Sequence, residues 1–346
     1  MNNKISIIIP FYYSQNKDLS IGENLPLISF EKCLSAVFAS NYRNYEIIAV
    51  SDCSSKESIK IAKKYPCKIV KLKKNSGSGN SRNIGARLAK GKILLFLDSD
   101  VEIKKDALML LNKRYNSKND NVAIQGVFSH SPDYKKKSTQ YLQSYFCYHL
   151  FSEIEKKKYT ETVCTSFFSI KKDVFFKLNG FDSKFNKANA EDSEFGIRLI
   201  KSGYKIPIER KISVNHHTSF GLWQFILRII RIHTGEMKMY LRNKAFLSKI
   251  KQSNYFTVIF GLFLISSILT LLVGNYFYSI PYFIDIFISL NLLFILIHFK
   301  FLKFIYSSKG FFSAFRAIFF SYLHRFLFIC CIGIGILDFY VFKNKY

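Results

Sequence analysis

One stretch of the chain, Tyr255–Phe299, contains a single formally charged residue, Asp285. The hydrocarbon core of a bilayer is about 30 Å thick, and roughly 20 apolar helical residues are needed to cross it. Tyr255–Gly274 and Tyr282–Phe299 contain 20 and 18 residues, so both are long enough. The sequence therefore predicts two membrane-spanning helices in the C-terminal part of the chain.

The next apolar block, Phe311–Phe342, is interrupted by Arg316, His324 and Arg325. A charge at the centre of a membrane helix costs about 2.5–3.5 kcal/mol on insertion scales. We therefore predict an interfacial helix over Phe311–His324 and a third span over Phe326–Phe342. The alternative is one unbroken, tilted helix that begins at Phe311.

Charge is distributed unequally around the first two predicted spans. The loop Asn275–Pro281 has no Lys or Arg, whereas Lys300, Lys303 and Lys309 follow the second span. Loops rich in Lys and Arg stay in the cytosol, so the first loop is expected outside. The apolar run near the N-terminus, Ile5–Ile9, is too short for a signal peptide. We expect a multi-pass protein of the cell membrane whose N-terminal domain is cytoplasmic.

The composition argues against two other classes of protein. The formal net charge is +27, but no helix-turn-helix, RNP-like or zinc-finger signature accompanies it. Basic residues also serve membrane topology and binding to anionic lipid, so we expect no nucleic acid among the partners. The seven cysteines are scattered and free of CxxC spacing. They predict neither a disulfide framework nor a zinc site.

The N-terminal part of the chain alternates β-rich apolar runs with helical stretches. The apolar runs are Ser6–Pro10, Tyr45–Ser51, Cys67–Leu72, Ile93–Leu97 and Val122–Phe128. The helical stretches are Phe30–Ala39, Ser55–Lys64, Ser78–Ala89 and Lys105–Asn116. This alternation predicts an α/β fold with a mainly parallel sheet. Ligands bind such sheets beyond the carboxyl ends of the strands, where polar residues cluster in this chain.

Three more elements are predicted before residue 220. Tyr141–Glu155 has helical periodicity, and Cys164–Ile170 is typical of a strand. Asp192–Ser202 is predicted to be a helix that ends at Gly203.

A polar stripe follows between Phe220 and Lys238. Its members recur at helical spacing and are Gln224, Arg228, Arg231, Gly235 and Lys238. A basic stripe on an otherwise apolar helix predicts a helix that lies in the lipid interface, and the alternative is a buried helix packed on the sheet. The predicted organisation is an α/β domain over 1–219, an interfacial region over 220–250 and a membrane domain with two to three spans over 251–346.

Two aspartates, Asp98 and Asp100, follow the apolar run Ile93–Leu97. Carboxylates at positions i and i+2 of a strand end can converge on a hard divalent cation, which is usually shared with phosphates. Strand-end aspartates also cap turns and helices, so this motif alone leaves both interpretations open.

Other strand ends and helix starts carry further polar residues. Asp52 follows the second strand and either accepts a hydrogen bond from a nucleotide or caps the next helix. Asp192 likewise either belongs with Glu191 in a carboxylate pair or caps its helix. In the loop Asn75–Asn83, small residues lead into a helix that carries Arg82, which suits a phosphate, although neither a Walker loop nor G-x-G-x-x-G is present.

The order of these motifs is more specific than any one of them. A strand ending at Pro10, a strand ending at Asp52 and a Ser-Arg-Asn helix precede Phe-Leu-Asp-Ser-Asp and Glu-Asp-Ser-Glu-Phe-Gly-Ile-Arg-Leu. With the run Asn179–Asp182, this set resembles the family-2 glycosyltransferases from about Ile5 to His217. The resemblance implies the GT-A nucleotide-sugar-binding fold.

The resemblance also implies roles for individual residues. Those expected to bind the donor are Pro10, Asp52, Arg82, Asn83 and Asp98. Asp52 matches the aspartate that contacts the nucleotide base, and Asp98 matches one near the ribose or diphosphate. Asp100 matches the ligand of Mg²⁺ or Mn²⁺. Asp192 matches the catalytic base, and Glu191 matches its acidic neighbour.

The chain departs from the family pattern at two places. Ser51 stands where the pattern has an acid, and Tyr12-Tyr13-Ser14 replaces a more usual Tyr-Asn-Glu. An added stretch, Asn16–Leu27, follows, so the first loop of the donor pocket is expected to be unusual. The Gln-x-x-Arg-Trp run of processive synthases is missing from the sequence, which favours transfer of single sugars.

The resemblance implies an inverting, metal-dependent transfer from a nucleotide-diphosphate sugar to a membrane-associated acceptor, either a lipid-linked sugar or a surface glycan. A nucleotide-binding scaffold without catalysis and a nucleotidyltransferase remain the alternatives. Three residues have no settled role. His216 and His217 either touch the metal or diphosphate or form a packed pair. Asp285 faces a helix partner or an acceptor path.

Overall fold

The computed structural model describes residues 3–13, 25–117, 121–129, 136–156, 158–185, 190–243 and 283–343. The chain divides into two compact units. One comprises Met1–Lys136 with His149–Phe220, and the other comprises Lys137–Tyr148 with Gly221–Tyr346.

The first unit is built on a nine-stranded sheet. The strands are β1 (Ile5–Phe11), β2 (Tyr45–Ser51), β3 (Lys68–Lys71), β4 (Ile93–Leu97), β5 (Val101–Glu102), β6 (Ala123–Phe128), β7 (Tyr159–Thr160), β8 (Phe167–Lys171) and β9 (Ile206–His216). Their order is β3-β2-β1-β4-β8-β6-β9-β5, and β7 pairs with β9.

Helices connect these strands and continue beyond them. They are α1 (Leu25–Phe38), α2 (Lys56–Lys63), α3 (Ser78–Leu88), α4 (Ala107–Tyr115), α5 (Lys137–Lys156), α6 (Lys172–Lys177), α7 (Glu191–Lys201), α8 (Leu222–Arg242), α9 (Phe283–Lys309) and α10 (Phe311–Tyr340). Helix α1 begins five residues before the predicted start at Phe30, and α6 was not predicted.

The four N-terminal strands form the predicted parallel layer. β1 pairs in parallel with β2 and β4, and β2 pairs in parallel with β3. Every residue of β1 and β4 is buried. Continuous apolar strands are what a sheet covered on both faces requires, so the α/β prediction is confirmed here.

The other half of the sheet is mixed. β8 runs antiparallel to both β4 and β6, whereas β6 and β9 are parallel. The short strands β5 and β7 pair antiparallel with β9. The expectation of a mainly parallel sheet therefore holds for β1–β4 but not for this half. The apolar pattern predicted the strand that becomes β8 but not its antiparallel direction, and it did not reveal β5 and β7.

Stacked and edge-on phenylalanine rings fill the core on one side of the sheet. Phe96 of β4 packs on Phe175 and Phe181, with ring centroids 5.1 and 5.0 Å apart. Phe181 in turn packs on Phe195 of α7 at 5.1 Å. Aromatic pairs of this kind contribute about 0.5–1.5 kcal/mol each beyond their buried area. This cluster fixes α7, and with it Glu191 and Asp192, over the end of β4.

In the second unit, α10 is one continuous helix of 30 residues. The predicted break at His324 is wrong, and the unbroken helix is the correct alternative. His324 is only 2% exposed, and its Nε2 lies 3.0 Å from Nε2 of His233 in α8. The guanidinium of Arg325 lies over the ring of Tyr145 at 5.6 Å. These polar groups have partners inside the unit, so they do not end the helix.

Helix α8 packs lengthwise on α10. Lys238 is buried and lies 3.2 Å from the Asp338 carboxylate, and Gly335 approaches Met237 closely. Part of the predicted basic stripe thus faces a helix. Leu222 and Trp223 at the start of α8 are exposed instead.

Within the described part of the chain, two helical segments are long and apolar enough to cross a membrane by length and composition: Ile288–Lys309 and Phe311–Tyr340. The predicted first span, Tyr255–Gly274, the loop Asn275–Pro281 and most of the added stretch Asn16–Leu27 lie outside the described residues. Asp285 lies in α9, where its side chain is not described.

Candidate active site

A buried guanidinium joins two of the motifs found in the sequence. Arg82 lies in the second turn of α3 and is 4% exposed. Its Nη2 donates to Oδ1 of Asp98 at 2.6 Å, and its Nη1 donates to Oε1 of Glu191 at 3.0 Å. Charge-assisted bonds from a rigid guanidinium fork are short and directional. Arg82 therefore holds the end of β4 and the start of α7 in one place.

The second oxygen of Asp98 also has a partner. Oδ2 accepts a hydrogen bond from the Ser166 hydroxyl at 2.9 Å. The Asp98 side chain remains 28% exposed, whereas that of Glu191 is 6% exposed. Asp98 can thus still meet a ligand, and Glu191 is enclosed by Arg82 and by the Ser78 hydroxyl at 2.5 Å.

Asp100 lies beside one of the two histidines. The pairing of β5 with β9 places Val101 opposite His216, and Nε2 of His216 lies 3.1 Å from Oδ2 of Asp100. The His216 ring also stacks on Phe128, with centroids 5.4 Å apart. His216 is therefore packed on one side, as one sequence interpretation predicted, and faces Asp100 on the other, while its contact with a metal or diphosphate stays a prediction.

The neighbouring pair was missed at the sequence level. Nε2 of His217 lies 2.6 Å from Oε2 of Glu102, and the His217 N–H donates to the Asp100 carbonyl at 2.7 Å. Glu102 continues the acidic alternation of Asp98 and Asp100, and this spacing could have identified it.

The chemistry of Asp100 and His216 suits a divalent cation. A carboxylate oxygen with an imidazole nitrogen is a donor set that Mn²⁺ accepts well, while Mg²⁺ prefers oxygen alone. Among the described residues there is no group of three or more His, Cys, Asp or Glu side chains that could hold a metal. The residues present fit a cation that takes its remaining ligands from a diphosphate and water.

Asp192 is the second residue of α7. Its Oδ1 accepts from the Ser193 N–H at 2.8 Å, and its Oδ2 accepts from the Thr165 N–H at 3.5 Å. Burial, and then the nearby charge of Glu191, raise the pKa of Asp192 to about 7, while Arg82 opposes the shift. A carboxylate with such a pKa is suited to take up a proton near neutral pH.

The start of α7 excludes one alternative interpretation of Asp192. The N-cap residue is Ala190, which has a left-handed backbone with φ of 63°. Non-glycine residues adopt this conformation at a cost. Asp192 lies inside the helix and is therefore not its cap. The left-handed turn brings Glu191 and Asp192 to the site together.

Asp52 is bonded to the backbone of the loop that leads into α3. Its two carboxylate oxygens accept from the N–H groups of Ser76 and Gly77 at 2.7 and 2.9 Å. The following helix is capped by Ser55, so Asp52 is not its cap. Burial raises the pKa of Asp52, and the two N–H groups lower it. Asp52 thus fixes the loop that leads into α3, at the edge where a nucleotide is expected.

Asn83 and Pro10 are both enclosed by the protein. The Asn83 amide donates to the Phe181 carbonyl at 2.7 Å and accepts from the Phe181 N–H at 2.9 Å. Gly180, with φ of 62°, lies so close that a Cβ would be 2.6 Å from Asn83 Oδ1. This contact explains the Asn-Gly-Phe-Asp run. Pro10 is buried in β1, so the structure brings neither residue to the exposed part of the site.

The fold and these residues define an α/β protein of the nucleotide-sugar-binding class. The family model for glycosyl transferase family 2 matches residues 6–178, half of the 346-residue chain. The chain belongs to this family. A second family model, the N-terminal domain of galactosyltransferase, matches residues 147–220.

Two bacterial relatives are similar over the front of the chain. Poly(ribitol-phosphate) beta-N-acetylglucosaminyltransferase TarS from Staphylococcus aureus is 32% identical over 110 residues, which cover 30% of this chain and 18% of that protein. Poly(ribitol-phosphate) beta-glucosyltransferase from Bacillus spizizenii is 35% identical over 126 residues, which cover 34% of this chain and 18% of that protein. The chain spans less than a fifth of the length of these relatives.

Solved structures show the same fold. The mannosyltransferase PcManGT from Pyrobaculum calidifontis, in complex with GDP-Man and Mn²⁺, matches with a TM-score of 0.58 and 14% identity over 99% of this chain and 88% of that chain. GalNAc-T7 with UDP, GalNAc and Mn²⁺ matches with a TM-score of 0.50 and 17% identity, and the match covers 69% of this chain and 47% of that chain. The predicted GT-A fold is confirmed.

Proposed function

We propose that the chain is an inverting, metal-dependent glycosyltransferase that moves a single sugar from a nucleotide-diphosphate sugar to a hydroxyl of a membrane-associated acceptor. The observation that carries this proposal is the meeting of Asp98 and Glu191 on Arg82, with Asp192 beside them. Membership of glycosyltransferase family 2 and the sugar nucleotides bound by the two structural neighbours support it.

The donor half of the site lies at the ends of β2 and β4. Asp98 keeps an exposed edge for the ribose or diphosphate, and the loop fixed by Asp52 lies where the base is expected. Asp100 and His216 would hold Mg²⁺ or Mn²⁺, which when bound neutralises charge on the departing diphosphate. The Mn²⁺ in both structural neighbours favours this assignment.

The acceptor half depends on Asp192. As the ionised base, it takes the proton from the incoming hydroxyl while that oxygen attacks the anomeric carbon, and the diphosphate leaves from the opposite face. Such proton transfer is worth about 10²–10⁴ in rate. Glu191 is bonded to Arg82 and Ser78, so Asp192 is the carboxylate of this pair proposed to act as base, and one base without a second carboxylate nucleophile supports direct displacement with inversion.

The membrane assignment rests on the helices of the second unit. Two helices have the length and composition of spans. We propose a multi-pass membrane protein with the catalytic domain over 1–219 on the cytoplasmic side, an interfacial region over 220–250 and a membrane domain over 251–346. An acceptor held in the bilayer, such as a lipid-linked sugar or nascent surface glycan, suits this arrangement. Poly(ribitol phosphate), named for both relatives, is one polymer of that kind to test.

One experiment separates this function from its alternatives. Purified full-length protein is given a panel of nucleotide sugars with Mn²⁺ and a membrane extract as the acceptor source, and the released nucleotide is identified. Nucleoside diphosphate is expected from a glycosyltransferase. Pyrophosphate would indicate a nucleotidyltransferase, and no product from any donor would indicate a scaffold.

The variant pair Asp192→Asn and Asp173→Asn sharpens the test. Both side chains accept a hydrogen bond from the N–H of the next residue at a helix start. Asp192→Asn is expected to lose transfer while nucleoside diphosphate binding survives, and Asp173→Asn to keep both. Near-normal turnover of Asp192→Asn would overturn the proposed base.

A further inference from the structure

A glutamine inside the sheet holds the segment that joins the two halves of the site. Gln125 of β6 is 1% exposed. Its Oε1 accepts from the Cys164 N–H at 2.9 Å, and its Nε2 lies 3.0 Å from the carbonyl oxygens of Cys164 and Phe167. Nε2 lies equally close to the Gly126 carbonyl. One side chain thus satisfies both backbone groups of Cys164 and fixes the turn that enters β8.

An irregularity in β6 aims this side chain. The register with β9 shifts between Gln125 and Val127. Bulges re-aim side chains and are frequent beside active sites. Gly126 lies at the irregularity, and a Cβ there would be 2.7 Å from the Phe167 ring. A side chain at position 126 would therefore push the ring and the turn away from Gln125.

The turn held by Gln125 contacts both the donor half and the acceptor half of the proposed site. Ser166 donates its hydroxyl to Asp98 Oδ2 at 2.9 Å, on the donor side. The preceding Thr165 donates its N–H to Asp192 Oδ2 at 3.5 Å, on the acceptor side. Two consecutive residues of one turn therefore touch the aspartate assigned to the donor and the aspartate assigned as base.

We infer that Gln125 is a positioning residue for sugar transfer, which acts by holding the 164–167 turn so that Asp98 and Asp192 keep their separation. This inference rests on the proposed function. Gln125 touches no reacting atom and acts only through the turn. A displacement of about 1 Å between two groups that position the reactants can reduce turnover about 10²-fold.

The test compares three variants of the full-length protein with a matched control. Gln125→Met keeps the volume of the side chain and removes its hydrogen bonds, and Ser166→Ala removes the hydroxyl that contacts Asp98. The control is Ser169→Ala, since Ser169 is buried in β8, the strand that follows the turn, and bonds to Ile124 and Tyr115 instead. The third variant combines Gln125→Met with Ser166→Ala.

Each single variant is expected to lower kcat at least about 10-fold, and to lower kcat more than nucleoside diphosphate affinity, because the turn contacts both Asp98 and the base Asp192. In the Gln125→Met background, Ser166→Ala is expected to change kcat by less than about twofold, because the turn has already moved. Coupled residues show such non-additivity, and independent ones do not. Gln125→Met should also move the acidic limb of the kcat profile to higher pH, because Asp192 loses an N–H donor.

Several results would overturn the inference. The reductions in kcat could be independent and multiply in the double variant, or Ser169→Ala could lower kcat equally. Either result would indicate general destabilisation of the sheet. If Gln125→Met does not fold, the comparison of kcat between Ser166→Ala and Ser169→Ala is the test that remains. Equal kcat values in these two variants would reject the inference. If the wild type transfers sugar and the variants are fully active, only this inference is rejected. If the wild type itself is inactive, the proposed function is rejected as well.

Discussion

The carboxylate of Asp100, which directly precedes β5, and the imidazole of His216, at the end of β9, lie 3.1 Å apart, measured from oxygen to nitrogen. The ring of His216 is held flat against Phe128, and the strand pairing fixes its backbone. If Asp100 and His216 hold a cation, as proposed, both side chains are already oriented for it. Pre-oriented ligands lose little freedom on binding.

The first prediction concerns this pair. His216→Ala is expected to weaken Mn²⁺ binding in the presence of nucleoside diphosphate at least about 10-fold, because one of two protein ligands is lost. Electron paramagnetic resonance titration of free Mn²⁺ measures this without relying on turnover. His217→Ala, which removes the neighbouring ring paired with Glu102, is expected to retain Mn²⁺ affinity. Equal weakening in both variants would reject the assignment of His216.

The second prediction is a pH dependence. The pKa of Asp192 is raised to about 7, so its carboxyl is protonated below that pH and cannot accept a proton from the acceptor. Turnover is expected to fall about 10-fold for each pH unit below 7, and to level off above it. A kcat profile between pH 5 and pH 9 measures this. A profile that is flat down to pH 5 would contradict the raised pKa.

The third prediction is a gain of stability with a loss of function. The pKa of Asp192 in the folded state lies above its ordinary value. Ionisation of Asp192 at pH values above 7 therefore lowers the free energy of unfolding. Asp192→Asn removes that charge beside Glu191, so Tm at pH 8 should rise, by roughly 2–4 °C for each kcal/mol relieved. The gain should shrink as pH falls through 7. A lower Tm at pH 8 would show that ionised Asp192 is stabilised.

The fourth prediction tests Arg82. Arg82→Lys keeps the charge but cannot bond Asp98 and Glu191 at once, so one buried carboxylate loses its partner. Breaking a buried ion pair typically costs about 3–5 kcal/mol. Transfer should fall at least about 100-fold, and thermal unfolding should shift downward. Arg87→Ala, on the exposed side of the same helix, should alter neither.

Much of the donor side could be predicted from sequence, because its signals are local. Each of the strands β1, β2 and β4 is an uninterrupted apolar run, and Asp98 follows its strand directly. The order of short motifs also identified Arg82 and Glu191, although their ion pair joins residues 109 positions apart.

The rest depends on contacts that no local pattern encodes. Gln125 is a single polar residue in an apolar strand, and its role follows from a register shift. His324 was expected to end a helix because its partners, His233 and Tyr141, lie 91 and 183 positions away. A polar residue in an apolar run costs free energy only when its partner is missing, and the sequence does not show the partner.

The fifth prediction tests the packing of α8 on α10 with two glycines of the same helix. A Cβ at Gly335 would lie 2.8 Å from both Cβ and Cγ of Met237, whereas nothing lies within 4 Å of a Cβ at Gly333. Gly335→Val should therefore push the helices apart and lower Tm in detergent, while Gly333→Val should not. Overpacking of this kind costs about 1–3 kcal/mol. Because valine has the same helix propensity at both positions, the difference between the variants reports the contact alone, and equal Tm values would mean that α8 does not pack on α10 at Gly335.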